Sequence, residues 1–154
     1  MDQIKETEIL ARAKALLAGG SVGDPALQKN AIVLNPLPVT EPGGGLHSWW
    51  VPITVADKLV AFFQYQRNGV FMRFSTFQRQ PGNYENCPQA KLWLDTDTIQ
   101  KIAAARIRSG ETLQQPHLGF DQSPDRLAWI VPATDANGNQ RNIYVTSGYA
   151  YDGS

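Results

Sequence analysis

Apolar residues near the start of the chain fall at helical spacing. Ile4, Ile9, Leu10, Ala13, Leu16 and Leu17, within Gln3 to Ala18, gather on one face and leave Lys5, Glu8, Arg12 and Lys14 largely outside. Gly19-Gly20 stops that helix. Gly20 to Leu46 then carries Pro25, Pro36, Pro38, Pro42 and Gly43 to Gly45, so it reads as connection, with one short extended run from Ala31 to Leu34 and the character of a flap. Beyond it the pattern shifts to alternation. His47 to Thr54, Leu59 to Gln66 and Val70 to Gln78 read as strands turning at Ala56-Asp57-Lys58 and Arg67-Asn68-Gly69. Helical spacing returns in Thr98 to Ser109, capped by Asp97, with Ile99, Ile102, Ala103 and Ile107 as its buried stripe. Pro88 to Leu94 is ambiguous, and Leu113 to Phe120 is extended but interrupted by Pro116. Two strands follow, Leu127 to Ala133 and Gln140 to Thr146, around a turn at Asn137-Gly138, and Tyr149 and Tyr151 begin a last one. Pro52 and Pro132 inside their strands predict an edge or a bulge.

Two stretches about eighty residues apart share a plan. Trp49, Pro52, Thr54, Tyr65 and Gly69 are echoed by Trp129, Pro132, Thr134, Tyr144 and Gly148, and the Pro-to-Tyr gap differs by one, which a hairpin loop tolerates. Each stretch follows an amphipathic helix and an extended piece. The fold class expected is therefore α+β: two helices packed on antiparallel β-hairpins, an internal duplication of one helix-hairpin unit. A chain of 154 residues suits a single domain, 1–154, made of two pseudo-repeats, about 1–80 and 90–154, sharing a core.

Composition narrows the function classes. Four Trp, five Tyr and six Phe within 42% hydrophobic content mark a folded globule. Fourteen basic residues balance fourteen acidic ones, so no general nucleic-acid binder is expected, and Arg67, Arg73 and Arg79, like Lys101, Arg106 and Arg108, read as solvated faces. No apolar run is long enough to span a membrane. Asp2, Glu6 and Glu8 are unlike the start of a signal peptide, so the chain as written is expected to be cytoplasmic, or exported if a signal peptide has been removed. A single cysteine, Cys87, makes no internal disulfide.

The order of helix, extended piece and Trp-x-Val-Pro hairpin resembles the small PepSY-type module, here in tandem. Ala128 to Pro132, Asn137-Gly138 and Tyr144 to Gly148 carry the resemblance in the second half, and Trp49 to Pro52 with Tyr65 to Gly69 in the first. It implies a helix against a curled antiparallel sheet, in modules thought to bind or restrain peptidases. The acidic residue usual before the closing Thr-Gly is absent at Thr146-Ser147-Gly148.

Candidate chemistry is sparse. Cys87 with His47 or His117 offers a thiol and a base, but no basic cluster or helix start accompanies Asn86-Cys87-Pro88. The two histidines are seventy residues apart, without metal-ligand spacing, and Asp95-Thr96-Asp97-Thr98 lacks the Gly and Glu that close a calcium loop. Asp57, Asp95, Asp121, Asp125 and Asp135 all sit at turns or helix starts, where Asp serves local hydrogen bonding. Neither a metal nor a cofactor is expected. Aromatic residues remain: Trp49, Trp50, Trp129, Tyr149 and Tyr151 as the binding candidates, with Tyr65, Phe71 and Tyr144 beside them, on strands that must point some rings away from any core. They suggest a non-enzymatic module that contacts a protein or peptide partner through an aromatic strand face. The alternatives are a small hydrolase or transferase in a groove between the halves, using His47, Cys87 or His117, and a small-ligand binder in that groove.

Overall fold

The computed structural model describes residues 4–78, 80–124 and 126–153. Asp2 and Gln3, ahead of the first helix, and the candidate residues Arg79 and Asp125 lie outside them. The fold is α+β, with two antiparallel sheets of five strands each among the described residues. The chain divides into two compact units, one formed by residues up to Pro38 with Leu46–Ala90, the other by Val39–Gly45 with residues from Lys91 onward.

In the first unit α1 (Glu6–Ala18) begins with Glu6 and Glu8, whose charge suits a helix N-terminus. It buries Ile9, Ala13 and Leu17 against Val51, Ile53, Phe63 and Tyr65. The expected flap is structured. It holds α2 (Pro25–Asn30), β1 (Ile32–Val33) and β2 (Leu37–Thr40), whose last two residues count with the second unit. Asp24 caps α2 by accepting from Leu27 N at 2.9 Å, and Pro25 stands at the first helical position, where a missing N–H costs nothing. Then come β3 (Leu46–Val55), β4 (Lys58–Gln66) and β5 (Phe71–Thr76), in sheet order β1-β3-β4-β5 with β2 also on β3.

The second unit repeats the scheme. Short helices α3 (Lys91–Leu94) and α4 (Thr96–Ala103) precede β6 (Thr112–Leu113), β7 (His117–Phe120), β8 (Leu127–Thr134), β9 (Gln140–Thr146) and β10 (Tyr149–Asp152), in order β6-β8-β9-β10 with β7 also on β8. The helix starts earlier than expected, because Asp95 rather than Asp97 is its cap; Asp95 Oδ2 accepts from the Thr98 hydroxyl at 2.5 Å. It also ends earlier, in a 3-10 turn at Ala104–Arg106. Ile107, expected in the buried stripe, is extended and 42% exposed.

Register relates the sheets residue by residue. Ile32 and Val33 face Thr54 and Ile53, and eighty residues later Thr112 and Leu113 face Thr134 and Ala133. Trp49 stands opposite Tyr65, but Trp129 stands opposite Val145, so the structural counterpart of Tyr65 is Val145 and not Tyr144. The one-residue difference therefore lies in the later turn. A bulge at Ile53/Thr54 offsets the shorter first turn, whereas β4–β5 joins through Arg67-Asn68-Gly69 and β9–β10 through Ser147-Gly148.

Pro52 and Pro132 do not lie on edge strands. Leu34 N donates to Pro52 O at 2.9 Å, and Gln114 N donates to Pro132 O at 2.8 Å. A residue's N and O point to the same side of an antiparallel strand, so each proline nitrogen faces the break between β1 and β2, or between β6 and β7. No ladder donor is lost there. A bulge follows Pro52 only; the pairing of Pro132 is regular.

Candidate binding face

Thr146-Ser147-Gly148-Tyr149 closes β9 on β10 with Ser147 at φ 51° and Gly148 at φ 86°, the left-handed pair of a two-residue hairpin turn. This turn sets Tyr149 opposite Thr146 and Tyr151 opposite Tyr144. Alternation then places Tyr144, Tyr149 and Tyr151 on one face, and Trp129, Val145 and Ala150 on the other. The Tyr144 and Tyr151 rings stack with centroids 5.5 Å apart and planes at 17°, and Tyr149 lies 6.1 Å from Tyr151. Gly153 backs the Tyr144 ring, where a Cβ would collide with Cε2.

The tip of Tyr151 is polar and held. Tyr151 O–H donates to Asp121 Oδ2 at 3.0 Å, and Arg126 Nη2 approaches the same oxygen at 3.4 Å. Burial, and then donation to that carboxylate, pushes the Tyr151 phenol up to about 12, so it stays a neutral donor. Asp121 is buried, while Tyr149 is 58% exposed. Arg126, Leu127, Thr146, Tyr149 and Tyr151 line an open cleft of about 370 Å³. Tyr144 lines a second, of about 240 Å³, with Arg108, Arg141, Asn142, Asp152 and Gly153. Arg141 already donates to Glu111, Asp152 and the Arg106 carbonyl.

The structure brings together Tyr149 and Tyr151 of the five expected aromatic residues. Trp129 is buried, its Nε1 donating to Trp93 O at 2.8 Å on the helix side. Trp50 is buried in the first unit with its ring 5.6 Å from Phe62, and Trp49 packs at the margin of the α1 core. Asp121 and Arg126 join the face unannounced, and Tyr144 joins it from the neighbouring strand. Tyr144 was legible from period two in β9, whereas Asp121 reads as an ordinary turn residue and nothing in the sequence marks Arg126.

The candidate reactive groups each have their own surroundings. Cys87 lies in the first unit's core, and burial pushes its thiol up against the smaller pull of Lys58, the reverse of what a nucleophile needs. His117 is exposed on β7. His47 ends a hydrogen-bond chain in the first unit: Arg73 Nε donates to Gln64 Oε1, Gln64 Nε2 to Ser48 Oγ, and Ser48 Oγ lies 2.9 Å from His47 Nδ1. Ser48 and Gln64 are fully buried, so no substrate reaches that hydroxyl. Among the described residues no three His, Cys, Asp or Glu side chains gather to hold a metal ion, and no helix is long and apolar enough to cross a membrane. No known protein family, curated protein or solved structure matches the chain.

Proposed function

We propose that the protein is a non-enzymatic binding module whose second unit receives a segment of a protein partner across Tyr144, Tyr149 and Tyr151. The observation that carries this reading is the 58% exposure of Tyr149 beside a ring pair already stacked and tethered. Tyrosines held in one rotamer lose little entropy on binding and supply both apolar area and hydroxyl tips. The PepSY-like order of helix and hairpin supports a peptide-contacting role as well. Contact is across the face rather than by strand addition. In a two-residue hairpin the pair after the closing one, Ala150 and Val145, points its backbone outward, and Arg106 Nε already donates to Ala150 O at 3.4 Å.

A phage-displayed peptide library selected on the intact protein supplies the probe. In calorimetry with a selected peptide, Y149A is expected to weaken binding about tenfold or more, as truncation of an interface tyrosine does. I32A, which trims an equally exposed residue in the first unit, should leave affinity unchanged. Equal affinity for Y149A and the parent would remove this face from the function.

A further inference from the structure

Asn68-Gly69 and Asn137-Gly138 are chemically alike, since glycine lets its own nitrogen reach the preceding side-chain amide. The structure holds them differently. At the first, Gly69 is buried, Arg12 Nη1 donates to Gly69 O at 2.8 Å, and Ile4 N donates to Arg67 O at 3.0 Å. Gly69 N donates to Gln66 O at 2.8 Å, and Asn68 Oδ1 accepts from Val70 N at 3.2 Å. At the second, residues 136–140 are exposed and no atom outside the turn lies within 4 Å of where a Gly138 Cβ would stand. Its backbone bonds stay inside the turn, from Gly138 N to Asp135 O at 3.1 Å and from Asn137 N and Asn139 N to Asp135 Oδ1.

We infer that Asn137 is a site of self-modification by deamidation, and that the packing of α1 on the β4–β5 turn protects Asn68. Gly138 N attacks Cγ of Asn137 and loses its proton, the Cγ–Nδ2 bond breaks, and ammonia leaves. Water then opens the cyclic imide at either carbonyl, giving aspartate or isoaspartate. Either product sets a new carboxylate beside Asp135, and isoaspartate adds a carbon to the backbone of the β8–β9 turn. Rotation into the cyclising geometry disturbs only local bonds at Asn137. At Asn68 it requires opening the contacts to α1, so the native fold suppresses it.

The test is peptide mapping by mass spectrometry of the intact chain, folded and in urea, after incubation in mildly alkaline buffer. In urea both asparagines should convert at similar rates. In the folded chain Asn137 should keep close to its unfolded rate while Asn68 falls by about tenfold or more, as for any reaction gated by local opening. R12A should raise the rate at Asn68 and leave Asn137 alone, and N137Q should abolish the signal at the second turn. Folded Asn68 converting as fast as Asn137, or Asn137 protected as strongly as Asn68, overturns the inference.

Discussion

Gly69 and Gly138 share a left-handed backbone, φ +91° and +84°, yet one side of each tells them apart. A Cβ at Gly69 would stand 2.6 Å from Arg12 Nη1 and from Ile4 Cδ1, while at Gly138 it would meet nothing. Both alanine variants bear the left-handed penalty of about 1 kcal/mol. G69A also displaces the Arg12 guanidinium from the Gly69 carbonyl, so it should cost about 1 kcal/mol more. Urea unfolding midpoints of G69A and G138A measure the difference. Spacing alone marked both glycines as turn residues. Only the fold shows that α1 covers one of them.

Among the elements, α2 was the least legible, because six residues give too short a period to see and the prolines around it suggested a loop. Its signature was Asp-Pro followed by a buried leucine. Asp24 bonds Leu27 N and also receives Gln78 Nε2 at 2.5 Å, tying the cap to the segment after β5. D24A is therefore expected to destabilise the first unit by about 1 kcal/mol or somewhat more, the usual cost of a lost cap. The loss should appear in the urea midpoint of the full chain, and hydrogen exchange should speed up first at Leu27 and Gln28. The prolines of β3 and β8 teach the same lesson from the other side. A missing N–H excludes a paired neighbour at one point, and an edge strand or a break in the neighbouring strand satisfies that equally well.

Across the whole molecule the balanced charge hides an uneven one. Arg141, bonding Glu111 through its guanidinium fork, and then the Arg108 backbone N–H hold the Glu111 carboxyl at about 2. Asp95, through the Thr98 hydroxyl, and Asp135, through Asn139 N, are held low as well. An unfolded glutamate titrates near about 4.3, so the folded chain binds its protons later than the unfolded one. The stabilisation is complete above that value and is lost as pH falls toward about 2. Urea midpoints should drop across this acid range, and E111Q should be less stable at neutral pH with a flatter acid limb. The sequence by itself determined the α+β class, the positions of most strands and the likeness of the two halves, because periods of 3.6 and 2 and the turn residues act locally. The tertiary structure decided the register, the position of the odd residue in the later turn, and which aromatics are left outside. Trp129 and Tyr149 look equally able to bind when read along the chain. They differ because the closing turn puts them on opposite faces of one sheet, and the Trp129 face packs on α3, where Trp93 O accepts from its Nε1.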